Sequence, residues 1–169
     1  AMKSKGLIIV YTGHGKGKTT ASLGQVLRGL GQGLSVCVIQ FIKGKWSTGE
    51  AKVFSTFTEK VEFHTMGTGF TWDEDREKTR IAAERAWQLA QEKIMSGSHD
   101  MIVLDELTYL INYELVSEDE VLAALRGKPD SVHIVISGRD ASQNLIDLAD
   151  LVSEIKAVKH PYATGIKAQ

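Results

Sequence analysis

The chain predicts an α/β fold: three layers, with a mostly parallel central sheet of about six strands flanked by helices, built around a phosphate-binding loop. Three observations lead there. Short β-rich apolar runs alternate with longer helical patterns, as in a parallel sheet with crossover helices. The run Met101, Ile102, Val103, Leu104 is continuously apolar, as a strand covered on both faces must be. A turn rich in glycine and lysine joins the first run to the first helical pattern.

Taken in order, strands are predicted at 7–12, 35–41, 61–65, 101–105, 133–138 and 154–159. The first helix, 18–30, ends at the breaker Gly31, Gln32, Gly33. A second long helix over 73–95 places Ala83, Trp87, Ala90 and Ile94 on one face, and its acidic start at Asp73, Glu74 and Asp75 suits the positive end of a helix dipole. Ser117 and Glu120 form a capping box before a short helix to Leu125, and 144–149 is another short helical pattern. The stretches 43–54, with Gly44, Trp46 and Gly49, and 66–72 read as surface loops, the places where open α/β sheets bind ligands.

Composition bounds the function. A chain of 169 residues is expected to form one domain, 1–169. Its 20 Lys and Arg against 21 Asp and Glu offer no general attraction to nucleic acid or to an acidic membrane, so any basic site must be local. No apolar run approaches the roughly 18 residues of a membrane span, and no signal peptide is evident. The single cysteine, Cys37, cannot form an internal disulfide or a multi-thiolate metal site; it reads as a buried, inert thiol in a cytoplasmic protein. The five histidines, His14, His64, His99, His133 and His160, show no metal-ligand spacing and read as solvated or core imidazoles. Ala1, ahead of Met2, reads as a cloning remnant.

Between the first strand and helix stands Gly13, His14, Gly15, Lys16, Gly17, Lys18, Thr19, Thr20. Its glycines let backbone N–H groups turn inward and the helix N-terminus adds positive charge, while Lys18 reaches phosphate oxygens and Thr19 suits Mg²⁺. The usual loop has four residues between its first glycine and the Gly-Lys pair. Here Gly13 is followed by only three, with Thr12 in the register of the missing glycine. A dinucleotide fingerprint fits worse, because Lys18 takes its third glycine position and the second strand ends in Gln40 rather than an acid.

The run ending in Asp105 and Glu106 resembles the second nucleotide motif, in which a carboxylate coordinates Mg²⁺ directly or through water; the plain alternative is a cap on the next helix. Arg139, after the fifth strand, has two readings: a fork for a triphosphate or carboxylate, or a surface ion pair. Arg28 either reaches the nucleotide or neutralises the end of the first helix. No nucleophile elbow is present. The residues alone lead to a Mg²⁺-nucleotide-binding α/β domain.

Six segments in order carry a closer likeness: the phosphate loop; Val-Ile-Gln-Phe-Ile-Lys-Gly at 38–44; Met-Gly-Thr-Gly-Phe-Thr-Trp at 66–72; Leu-Asp-Glu-Leu-Thr-Tyr at 104–109; Ser-Gly-Arg at 137–139; and Val-Lys-His at 158–160 with Gly-Ile-Lys-Ala-Gln at 165–169. Over nearly its whole length the chain resembles the ATP:corrinoid adenosyltransferases of the cobalamin (vitamin B12) pathway. The resemblance implies attack by a cobalt(I) corrinoid on C5′ of ATP with loss of triphosphate. It also implies a nucleotide held in reverse of the ordinary pose, which makes sense of the tightened loop. Lys18, with Mg²⁺ held by Thr19 and Glu106, would stabilise the leaving triphosphate, and Lys16 and the loop amides would share the task.

Phe70 and Trp72 match the aromatic pair with which the family displaces the lower axial ligand, leaving a four-coordinate cobalt(II) that is easier to reduce. A homodimer is expected on the same ground. With no cysteine cluster available, the electron is expected from a partner such as a reduced flavoprotein. Better-known members begin with a helical segment over the site and run past the Ala-Gln end; six residues precede the first strand here, so a core without that lid is expected. A generic phosphate-loop ATPase or small-molecule kinase, or a nucleotide-regulated binding module, is the alternative, although no phosphoryl-acceptor site or arginine lid is visible.

Overall fold

A computed structural model describes residues 4–42, 49–57, 59–66 and 75–165. In chain order these form β1 (Ile8–Thr12), α1 (Lys18–Gly31), β2 (Val36–Gln40), α2 (Gly49–Phe54), β3 (Val61–Thr65), α3 (Arg76–Ser96), β4 (Met101–Asp105), α4 (Leu107–Asn112), α5 (Glu118–Arg126), β5 (His133–Ser137), α6 (Gln143–Leu148) and β6 (Leu151–Glu154), with 3-10 turns at Ser55–Phe57 and Pro161–Thr164. The six strands make one sheet in the order β3-β2-β4-β5-β1-β6, and every pair is parallel. Parallel strands need helical crossovers, which cover both faces.

Alternation along the strands sorts the core into two sides. Ile102 and Leu104 of β4 join Cys37, Ile39, Ile134 and Ile136 under α3, α4 and α5. Val103 joins Val36, Val38 and Val135 under Leu23 and Val26 of α1. On α3 the predicted stripe of Ala83, Trp87, Ala90 and Ile94 is buried, together with Ala86. Three alanines bring the helix close to the sheet, and Trp87 fills the remaining volume.

Four features differ from the sequence expectation. Within the expected 43–54 loop, Gly49–Phe54 is a helix, because the buried Phe54 ring stacks on Phe63 with centroids 6.4 Å apart. Helix α4 follows β4 directly; Leu107 and Leu110 anchor it, but six residues show too little periodicity to announce a helix. The last strand is Leu151–Glu154 rather than 154–159. It is a half-exposed edge strand whose position is set by pairing with β1, Ile9 opposite Leu151 through Thr12 opposite Glu154, and not by apolar pattern. Helix α3 begins at Arg76, with the Asp75 carboxylate accepting the Glu77 N–H at 3.1 Å, while Asp73 and Glu74 lie outside the described residues.

Candidate active site

Strands β4, β5 and β1 end side by side, and the segments leaving them line a cleft of about 760 Å³. Its walls are residues 14–20, Glu50, Glu106, Thr108, Tyr109, Asn112, Tyr113, Arg139 and Asp140. A second groove of about 780 Å³, between α3 and the α4–α5 turn, shares none of these residues.

The loop after β1 is held from behind. Gly13 has φ 104°, and a side chain there would run into the Ile155 backbone just past β6. The Gly15 N–H donates to the Ile155 carbonyl at 2.9 Å, so this amide serves the scaffold. Helix α1 then starts at Gly17 with no side-chain cap and no acid in its first turn, whereas α3, α5 and α6 are capped by Asp75, Ser117 and Ser142. Uncapped first-turn N–H groups and an uncompensated positive helix end, facing a cleft, make an anion site.

Lys18 folds over this loop, its Nζ donating to the Gly15 carbonyl at 2.7 Å. Burial lowers its pKa, and Arg139 and Lys16 push the same way against the opposing pull of Glu106. Three cations thus converge on one end of the cleft. His14 pairs with Asp140 at 2.8 Å, but both are largely exposed and such a contact contributes little. Arg139 is held through its carbonyl by the Asn112 amide at 3.2 Å. Gly138, at φ 151°, passes so close to Thr108 that any side chain would overlap its hydroxyl, which sets the Arg139 turn against α4.

The two carboxylates at the end of β4 stand in different surroundings. Asp105 is buried; its Oδ1 accepts from the Thr19 hydroxyl at 2.9 Å and the Ser137 hydroxyl at 2.6 Å, and its Oδ2 from the Gln40 amide at 3.2 Å. Burial still raises its pKa, against those three hydrogen bonds. Glu106 stands at φ 63° in the N-cap position of α4 without capping it, so neither carboxylate is used as a helix cap. Burial and then Asp105 raise the Glu106 pKa, while Lys18 and Arg139 oppose the shift. Its N–H donates to the Ser137 oxygen at 3.1 Å, which ties both carboxylates to β5.

The cleft therefore unites His14, Gly15, Lys16, Gly17, Lys18, Thr19, Thr20, Glu106 and Arg139, with Gly13 just behind. Arg28 does not join them. It lies in the last turn of α1, which by helix rise places it about 15 Å beyond Lys18, where its charge suits the negative helix end. Phe70 and Trp72 lie outside the described residues. Sequence reasoning missed the Asp105 partners Gln40 and Ser137, and the wall of Glu50, Tyr109 and Tyr113. The spacing of Glu106, Tyr109 and Tyr113 is helical and was the available signal for a third wall, whose tyrosine rings lie 4.3 Å apart.

Comparison with known proteins bears on the family of the chain. Residues 4–169 match the family described as ATP:corrinoid adenosyltransferase BtuR/CobO/CobP. The chain is 44% identical over 170 residues to the corrinoid adenosyltransferase of Escherichia coli (strain K12), with 100% of this chain and 86% of that protein covered. It is 44% identical to corrinoid adenosyltransferase CobA of Salmonella typhimurium (strain LT2), with the same coverage, and 42% identical to the Pseudomonas aeruginosa corrinoid adenosyltransferase, covering 100% of this chain and 84% of that one. An uncapped helix N-terminus, three converging cations and a carboxylate pair thus stand in a chain whose whole length aligns with such enzymes: the chain belongs to the ATP:corrinoid adenosyltransferase family.

Proposed function

We propose that the chain transfers the 5′-deoxyadenosyl group of ATP to the cobalt(I) of a corrinoid, cobalamin or a precursor, and releases triphosphate. The observation that carries this reading is the uncapped N-terminus of α1 beneath Lys16, Lys18 and Arg139, inside a full-length family match. In the transfer the cobalt(I) electron pair forms the Co–C5′ bond while the C5′–O bond breaks and its electrons leave with the triphosphate. Negative charge grows on the departing oxygen and spreads over the phosphates, so the protein's task is electrostatic.

Lys18 gives up its contact with the Gly15 carbonyl to reach the triphosphate, joined by Lys16, Arg139 and the N–H groups of Gly17, Thr19 and Thr20. The oxygens of Thr19, Glu106 and Asp105 are the hard donors that Mg²⁺ takes. Thr19 and Glu106 would hold it, with Asp105 orienting the Thr19 hydroxyl, and the ion supplies charge neutralisation on the leaving group. Phe70 and Trp72 serve the corrinoid face, excluding the axial ligand, and Arg28 keeps the role of neutralising the end of α1. The reading includes a single domain, a homodimer, a cytoplasmic location and an electron partner such as a reduced flavoprotein.

ATP labelled with ¹³C at C5′, incubated with Mg²⁺ and chemically reduced cobalamin, tests it. The label is expected on a cobalt-bound methylene carbon; label recovered only in ADP would make the chain a phosphoryl-transfer enzyme instead.

A further inference from the structure

At the outer edge of the sheet, beneath the C-terminal end of α3, two apolar rows finish in polar side chains. One row crosses Ile8, Ile134, Ile102 and Cys37 and ends at Glu62; the next crosses Val10, Ile136, Leu104 and Ile39 and ends at His64. Strand alternation puts all of them on the face that α3 covers. Cys37 Sγ, a Glu62 carboxylate oxygen and a His64 ring nitrogen lie within 4.8 Å of one another. His99, in the turn between α3 and β4, brings Nε2 to 3.3 Å from Glu62 Oε2.

The Cys37 thiol and Lys93 both hydrogen-bond Glu62, yet three buried atoms of the cluster lack a geometrically sound hydrogen bond. Glu62 Oε2, His64 Nε2 and His99 Nδ1 are buried and have no hydrogen-bond partner among the described residues, an unfavourable arrangement that calls for a ligand. Lys93 donates to the other oxygen, Glu62 Oε1, at 2.9 Å, and His64 Nε2 stands 3.5 Å from that same oxygen, so the carboxylate lies between the two imidazoles with Oε2 toward His99. One sulfur, two imidazoles and one carboxylate form the donor set of a borderline-soft divalent ion and not of Mg²⁺ or Ca²⁺. Metal bonds of roughly 2.0–2.3 Å require the donors to close in, which side-chain rotation on an edge strand permits.

We propose that Cys37, Glu62 and His64, with His99 as fourth donor, form a Zn²⁺ site that pins the edge strand β3 to β2 and to the α3–β4 turn. On binding, the Cys37 sulfur exchanges its proton for the ion and the proton leaves to solvent. The ligands come from β2, β3 and the turn before β4, which is why no spacing along the chain announces them.

The test uses the full chain, stripped with a chelator and titrated with Zn²⁺ against a chromophoric competitor in excess Mg²⁺, and separately with Co²⁺. One Zn²⁺ per chain is expected, and Co²⁺ should give a thiolate charge-transfer band that, with one cysteine in the chain, reports Cys37 alone. Cys37→Ser should abolish that band, and His64→Gln should weaken Zn²⁺ binding by more than the ~10–100-fold typical of an outer-shell partner. Zn²⁺ should raise the Tm of the wild type and not of His64→Gln. Circular dichroism establishes that each variant is folded, and Cys37→Ala replaces the serine variant if that one is not. No thiolate band in folded wild type, or Zn²⁺ affinity unchanged in both variants, overturns the proposal.

Discussion

Asp105 is built into the cleft at a cost to the unliganded protein. Its pKa is raised by burial even though Ser137, Thr19 and Gln40 all donate to it. A carboxyl whose folded pKa exceeds its unfolded one binds more protons when folded, so stability falls as pH rises through that window. Asp105→Asn keeps the two hydroxyl donors and removes the buried charge. Its Tm without ligand should exceed that of the wild type at pH 8, the gap closing as pH falls toward the ordinary carboxylate range, while Mg²⁺-dependent turnover falls because the charge behind Thr19 and Glu106 is gone; thermal melts across pH with a turnover assay check this. On the proposed reading Lys18 turns from the Gly15 carbonyl to the leaving group, so Lys18→Ala should lower kcat by about 10²–10³. Cys37 is fully buried and its thiol is pushed up to about 12, chiefly by burial and secondarily by Glu62. The metal-free folded protein should therefore resist iodoacetamide at pH 8 and react only after unfolding, as mass spectrometry of the intact chain would register.

At the scale of elements, the glycines of the phosphate loop answer to the scaffold as much as to the ligand. Gly13→Ala places a Cβ at φ 104° against the Ile155 backbone, which should cost at least the ~1–3 kcal/mol of a strained position. A lower urea midpoint at unchanged slope would register it. What could be read in the sequence follows the same division. Strands β2, β3, β4 and β5 and helices α1, α3 and α5 were legible because burial on one or both sides imposes a pattern; β6, α2 and α4 were not, because pairing with β1, a single Phe54 anchor and two leucines position them. In the cleft, Lys18 and Thr19 were legible from local chemistry, Asp105 and Glu106 only as a pair, and the choice of Glu106 came from the family resemblance. The hold of Gln40 and Ser137 on Asp105 was not legible, since it joins strand ends 65 and 32 residues away.

Over the whole molecule a formal charge of -1 conceals a local arrangement: Lys16, Lys18 and Arg139 gather where the strands β1 and β5 end, with Glu106 close enough to act on Lys18 and Arg139. On the proposed reading that gathering of cations and carboxylate suits a triphosphate that leaves as a unit with Mg²⁺. Counting products therefore distinguishes adenosyl transfer from phosphoryl transfer. With MgATP and chemically reduced corrinoid, one triphosphate is expected for each adenosylated corrinoid formed, with no ADP above background. ADP and phosphate in equal amounts, with the corrinoid unchanged, would contradict adenosyl transfer.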